Sequence, residues 1–362
     1  MGILEIWTMG IAAPKIAATG AFRAEAAGFD GMLVVDSQNL AGDPYVGLTL
    51  AAAATEKLRL GTGVTNPATR HPAATAAAIA SVHIESGGRA VLGIGRGDSA
   101  LAHLGSAPVP AELLERYVRV VRSLLRGESV DFAELQPYMP ASVRPLESLG
   151  LADAPSASAL RWLPRDLAPV PVEVAATGPR AIALGALDAD RVMLAVGADP
   201  VRVGRAIDRV RAVRRDAGLD PDGVAIGAYV NVVSHPDIDV ARSLIAGGLA
   251  TFARFSVMDG LVRTPIEETQ ERVLLDVHRA YDMTHHTESG SSQSGQLTDE
   301  FVDRFGIVGA PEHCVARLQE LTELGIDRFV VTGPSRGADR TAGVEAARLF
   351  ADEVMPALRA RP

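Results

Sequence analysis

The chain is short of cysteine and lysine, and each shortage excludes something. There is one cysteine in 362 residues, Cys314. A lone cysteine excludes an intramolecular disulfide and fits a reducing cytosol. It lies in "GAPEHCVARLQEL", a helical pattern, and reads as a buried structural thiol. The basic residues are almost all arginine, scattered along helical stretches, and the net charge is −9. That argues against nucleic acid or an anionic membrane as the main partner. No apolar run reaches the roughly 18 residues of a membrane span. The opening "MGILEIWTMG" has no basic segment and no long apolar core, so it does not read as a signal peptide. There is no Walker A loop, no G-x-S-x-G elbow and no Cys/His cluster, which weighs against NTPase, hydrolase and metal chemistry. His285-His286 sit side by side in a polar loop, a spacing that does not put two imidazoles on one helix face. His71, just before Pro72, reads as structural.

What is abundant is apolar sequence, 48% of the chain, arranged in one recurring unit. A short apolar run is followed by a turn and then an alanine-rich amphipathic stretch. The runs are 4–9, 29–36, 58–64, 89–95, 171–177, 190–196, 224–233 and 327–333. Helices are expected to open at Pro14, near Asp43-Pro44, at Pro72, near Ala111, at Pro179, at Asp199-Pro200, near Asp237 and near residue 341. Proline recurs at these starts because its missing N–H is not needed in a first helical turn. Continuous apolar strands alternating with helices predict a parallel sheet covered on both faces. Eight such units predict a (β/α)8 TIM barrel; an open doubly wound sheet is the alternative, since counting does not prove closure. The whole chain, 1–362, reads as one domain with two insertions. One is 127–170, before the fifth strand. The other is 250–305, between the seventh and eighth, and includes the Ser/Gly-rich "THHTESGSSQSGQL" (284–297).

In such a barrel, chemistry gathers where strands end. Strand two ends in Asp36-Ser37, strand three in Gly63-Val64-Thr65-Asn66, and strand four in Gly95-Arg96-Gly97-Asp98-Ser99. Strand five ends in Ala176-Thr177-Gly178, strand six in Val196-Gly197. Strand seven carries Tyr229 and Asn231, and strand eight ends in Thr332-Gly333-Pro334. Glu5 is a carboxylate inside the first apolar run. Asp36 is as well suited to capping a helix as to chemistry. "GIGRGDSA" fits a dinucleotide fingerprint only loosely. It follows the fourth strand, and residues 100–110 separate it from a clear helix, whereas that loop should feed its helix directly. "ATGPRA" (176–181), before a proline-started helix, is a candidate phosphate cradle. Redox chemistry without a metal or a reactive cysteine needs an organic cofactor. A flat ring would lie against glycine backbone at the strand ends, with Asp36, Asp98 and Glu5 available to orient it or move protons.

"LRLGTGVTNPATRHP" (58–72) and "AVLGIGRGDSALAHLG" (90–105) resemble the luciferase-like flavin and deazaflavin oxidoreductases. They are most similar to the coenzyme F420-dependent branch that includes methylenetetrahydromethanopterin reductase. "AATGPRAIALGALDADRVML" and "FGIVGAPEHCVARLQELTELGIDRFVV" carry the same resemblance. It implies a (β/α)8 barrel that binds F420 or FMN at the C-terminal mouth, and a cis peptide at Gly63-Val64. It implies that Asp36 approaches the deazaflavin, that Glu5 and Asp98 are acidic positions near the ring, and that Thr177 and Gly178 belong to the phosphate-side loop. Ser37, Thr65, Gly97, Ala176 and Gly197 complete the expected cofactor contacts. The implied activity is hydride transfer between deazaflavin C5 and a small organic substrate, in a cytoplasmic homodimer. The alternative is an FMN-dependent monooxygenase. The sequence departs from the alcohol and sugar dehydrogenases of the family, which carry His and Trp where this chain has Ser37 and Leu40.

Overall fold

The computed structural model describes residues 4–164, 166–263 and 266–360. The first three and last two residues of the expected 1–362 span lie outside these. The strands are β1 (Glu5–Ile11), β2 (Gly31–Val35), β3 (Arg59–Thr62), β4 (Ala90–Ile94), β5 (Val172–Ala176), β6 (Arg191–Leu194), β7 (Ala225–Ser234), β8 (Ile307–Gly309) and β9 (Arg328–Thr332). They join one sheet in the order β6-β5-β4-β3-β2-β1-β9-β7-β8, and an additional β6–β7 pairing closes a ring of eight. β8 stands outside that ring, paired only with β7. The fold is a (β/α)8 barrel, as the eight units predict, and the open-sheet alternative is excluded.

Eight of the nine strands coincide with the eight apolar runs. Helices open at Pro44, Pro72, Ala111, Pro179, Pro200, Ile238 and Arg340, at or beside the expected starts. The first opens at Ile16 rather than Pro14, because Lys15 takes φ 65° and delays the helical turn. Asp43, Asp199 and Asp237 each cap a helix by accepting from backbone N–H groups of its first turn.

The segment between the seventh and last apolar runs holds more regular structure than its composition announces. It contains helices Glu268–Arg279, Asp299–Phe305 and Pro311–Glu323 as well as β8. The 284–297 stretch is anchored by a polar core rather than an apolar one. Gln293 is fully buried, and its side chain accepts from Asp282 N and donates to the carbonyls of Asp282 and His285. Among the described residues of 127–170 there are short helical turns, at Phe132–Leu135, Gln136–Tyr138 and Leu146–Leu149, and an antiparallel bridge between Val130 and Ser158.

The chain forms two compact units. The first comprises 1–9, 23–33 and 174–362. In it β1 pairs with β9 (Glu5 opposite Arg328), and β7 pairs with β6, β8 and β9, all parallel. Leu194, Ile226, Val230, Phe329 and Val331 pack against Ile207, Val210, Leu318 and Leu358 of the helices. A second cluster joins Leu244, Ile245 and Leu249 to Leu274, Phe301 and Phe305.

The second unit comprises 10–22 and 34–173. β3 and β4 pair in parallel, and Leu60, Val91, Leu92, Ile79, Leu114, Val118 and Val121 are buried. Arg89 ties its helix ends together by donating to the carbonyls of Ala52, Thr55, Leu58 and Ser86. Cys314 of the first unit is fully buried, and burial pushes its thiol pKa up to about 11. No helix among the described residues is long and apolar enough to cross a membrane.

Candidate active site

The interruption in the third apolar run is a bulge. Gly61 stands opposite Val91, but the next strand-like bridge joins Thr65 to Ile94. Four residues on one side span three on the other, so β3 carries one extra residue, as a β-bulge requires. The Gly63–Val64 peptide inside it is cis. Before the bulge, Gly63 N–H donates to Val34 O; beyond it, Thr65 N–H donates to Gly93 O and accepts from Gly95 N–H through its carbonyl. The displaced Thr62 carbonyl crosses β4 so closely that a Cβ on Gly93 would lie 2.1 Å from it. Gly93 is therefore a requirement of the bulge, and Thr62 Oγ1 locks it with a 2.6 Å bond to Gly93 O.

Asp36 follows β2 and is 3% exposed. Both carboxylate oxygens are held: Thr65 Oγ1 donates to Oδ2 at 2.7 Å, and Gln38 Nε2 donates to Oδ1 at 2.6 Å. Burial raises the Asp36 pKa, and the bonds from Thr65 and Gln38, with Arg70 beyond, pull against it. Arg70 pairs with Asp43 and lies over the Tyr45 ring, 4.8 Å from its centroid. Burial pushes Tyr45 up to about 12, so its hydroxyl is neutral near pH 7. Behind it Thr75 Oγ1 and Tyr117 OH are 2.6 Å apart, and Tyr117 also donates to Arg70 O.

Ser37 Oγ and Ser99 Oγ lie 3.2 Å apart, joining the ends of β2 and β4. Gly97 takes φ 76°, and a Cβ there would lie 2.9 Å from Asn66 Cβ. Asp98 is half-buried before the short helix Ser99–Ala102, and its side chain does not cap it. Thus Asp36, Ser37, Gly63, Val64, Thr65, Gly97 and Asp98 all stand at the ends of three strands of the second unit.

The remaining expected contacts belong to the first unit. Ala176 O accepts from Ala195 N–H at 2.9 Å, and Thr177 Oγ1 donates to Ala195 O at 3.3 Å. Gly178 precedes the helix Pro179–Asp188, with open space where its Cβ would stand. Gly197 takes φ 80°, and a Cβ there would meet the Phe305 ring at 2.7 Å. Nearby, Arg202 is buried, with Nε on Val196 O and Nη2 on Ser256 Oγ. Asn231 Nδ2 donates to Thr332 Oγ1 at 2.6 Å.

Glu5 does not join these groups. It opens β1, in register with Arg328 at the opening of β9, whereas Thr332 closes β9. Its Oε2 accepts from Arg328 Nε at 2.6 Å and from Trp7 Nε1 at 2.9 Å, and the Arg328 guanidinium lies 4.2 Å from the Trp7 ring centroid. It neutralises a buried arginine at the strand starts. His71 and His83 are structural, too. His71 Nδ1 caps the helix Pro72–Glu85, and His83 bridges the carbonyls of Ala90 and Ala168. No metal-holding cluster occurs among the described residues.

Gln38, Tyr45 and Arg202 are the groups that sequence reading passed over. Gln38 carried one signal, its place two residues beyond Asp36. Just beyond β2 and β3, the buried Gln38 Oε1 and Asn66 Nδ2 find no hydrogen-bond partner among the described residues, and in the first unit the buried Arg202 Nη1 finds none either. Buried polar atoms are normally satisfied, so an acceptor and a donor left in this state within the second unit fit a ligand. These two suit a ring edge that carries both C=O and N–H. Arg202 Nη1, in the first unit, is a cationic donor and suits an anionic group.

The family model for luciferase-like monooxygenases matches residues 9–328. The chain is similar to the 5,10-methylenetetrahydromethanopterin reductase of Methanolobus tindarius, 29% identical over 314 residues, covering 86% of this chain and 88% of that one. Among solved structures it is similar to the coenzyme F420-dependent tetrahydromethanopterin reductase from Methanopyrus kandleri. That match has a TM-score of 0.72 at 24% identity and covers 98% and 99% of the two chains. It is also similar to an F420-dependent secondary alcohol dehydrogenase in complex with an F420–acetone adduct, with a TM-score of 0.69 at 18% identity over 99% of each chain.

Proposed function

Since the chain belongs to the luciferase-like monooxygenase family, we propose that it is a coenzyme F420-dependent oxidoreductase acting on a small organic substrate. Such a cofactor would supply hydride exchange with that substrate at the deazaflavin C5. The observation that carries this reading is the clamp on Asp36 beside the bulged Gly63–Val64 peptide, with a buried acceptor and a buried donor left over for a ring edge. The relatives named 5,10-methylenetetrahydromethanopterin reductase and the similar solved structures named for coenzyme F420 support it.

Asp36, Ser37, Gly63, Val64, Thr65, Gly97 and Asp98 hold the ring in this reading. Ala176, Thr177, Gly178 and Gly197 take the phosphate, with Arg202 supplying positive charge. Asp36 orients the ring edge, and Asp98 is the group that moves a proton. The 98–110 loop shields the ring from water in this reading.

An anaerobic titration tests the cofactor. F420 is expected to change its absorbance and fluorescence on binding. Unchanged F420 signals together with tight FMN binding would replace this reading by the FMN-dependent monooxygenase, the chemistry that the family description names.

The chain acts as a cytosolic homodimer in this reading. Two successive helices of the second unit leave apolar side chains outward: Ile16, Phe22, Val46 and Leu50 are 47–61% exposed. Light scattering on the eluting protein checks the mass.

A further inference from the structure

We propose that Gln38 is a positioning residue whose side-chain amide follows the protonation state of Asp36, offering the bound ring an acceptor when Asp36 is ionised and a donor when it is neutral. The ligand end of this inference rests on the deazaflavin reading; the Asp36–Gln38 coupling does not.

The geometry fixes the first state. Gln38 Nε2 lies 2.6 Å from Asp36 Oδ1, a contact that requires the carboxylate oxygen to accept. The other end of the amide, Oε1, is buried with no partner among the described residues. An amide has a donor face and an acceptor face, so using one toward Asp36 commits the other to whatever lies beyond.

Protonation of Oδ1 reverses the demand. The new O–H needs an acceptor, and a half-turn of the Gln38 amide supplies Oε1. That turn gives the orphaned oxygen the bond it lacks, and carries the NH2 group to the outward side.

Protonation of Oδ2, with Thr65 Oγ1 turned to accept, is the competing route. It leaves Oε1 unsatisfied and obliges the Thr65 proton to find a new acceptor. Each route leaves one end of the Gln38 amide for the ligand to satisfy; they differ in whether the Gln38 amide or the Thr65 hydroxyl turns, and a pH titration separates them.

The other groups that bear on Asp36 do not take over this role. Arg70 and Asp43 act on it with opposite signs and are paired to each other. Tyr45 is neutral near pH 7.

Two measurements decide the matter. The first is a pH titration of the cofactor-free protein, following the Asp36 side-chain 13C signal and the Gln38 side-chain NH2 signals by NMR. The amide signals are expected to move with the Asp36 midpoint. Gln38→Met is expected to raise that midpoint by about one pH unit, a tenfold gain in proton affinity, because a donor to the carboxylate is lost. Amide signals that stay fixed while Asp36 titrates overturn the proposal in favour of the Thr65 route.

The second is F420 affinity against pH by fluorescence. A break at the Asp36 midpoint is expected in the wild type, and in Gln38→Met it is expected to be smaller and to move up with that midpoint. Binding with the same pH dependence in both proteins removes the ligand end of the proposal. If F420 binds at no pH, the deazaflavin reading fails and takes the ligand end with it. The amide titration decides the coupling either way.

Discussion

Thr65 Oγ1 donates a 2.7 Å hydrogen bond to Asp36 Oδ2, although 29 residues separate them in the chain. The bulge in β3 makes this possible, since the extra residue brings Thr65 back into register with Ile94 at the end of its strand. Burial raises the Asp36 pKa, so folding favours the neutral form. Its contribution is full below the ordinary carboxylate range and is lost as pH rises through the raised value. Asp36→Asn is therefore expected to be more stable than the wild type at pH 8, with the advantage shrinking as pH falls. Thermal melts across pH check this, and F420 affinity is expected to fall about tenfold or more, ~1.4 kcal/mol. A variant less stable at pH 8 than at pH 4, relative to wild type, would reverse the sign.

Glu5 carries the opposite expectation. It compensates Arg328, which is 2% exposed, from a position that is itself a quarter exposed. Glu5→Ala should cost about 2–3 kcal/mol in urea unfolding, below the ~3–5 kcal/mol of a fully buried pair. F420 affinity should stay as it was. A large affinity loss without a stability loss would return Glu5 to the cofactor site.

Two glycines separate folding from binding. Gly197→Ala meets both φ 80° and the Phe305 ring, and should cost about 1–3 kcal/mol. Gly178→Ala enters open space at φ −95° and should change stability by less than about 0.5 kcal/mol. If the phosphate approaches that backbone, the same variant weakens F420 by roughly tenfold. Calorimetry on the two variants, with and without F420, separates the effects.

Gln293→Leu removes one buried amide that serves three backbone groups. The loss is expected to cost about 2–3 kcal/mol and to be local. Hydrogen exchange should quicken across 282–289 while the amides of β7 keep their protection. Equal quickening in both would mean that the segment is not a separately opening piece.

The strands, the helix starts and the group around Asp36 were legible because they rest on local rules. Apolar runs bounded by turn residues announced eight strands, and Asp-Pro or a lone proline announced several helices. Asp36, Thr65 and Gly97 could be gathered because each ends a strand. Other features depended on partners far off in the chain. Nothing around Glu5 reveals that Arg328 lies beside it. β8 is three residues long, too short for any alternation to show. The 284–297 stretch looks like a linker by composition, yet a single buried glutamine organises it. Gln38 was missed because its importance lies in which end of its amide is spoken for, and no residue pattern encodes that.

The chain has two tryptophans, and they stand in opposite surroundings. Trp7 is fully enclosed under the Arg328 guanidinium, while Trp162 is 49% exposed. They also belong to different compact units. The molecule therefore carries its own optical labels. Acrylamide should quench the emission of Trp162 and spare that of Trp7. A Trp162→Phe protein would report the melting of the first unit alone, and the difference from wild type would report the second, with no dye attached.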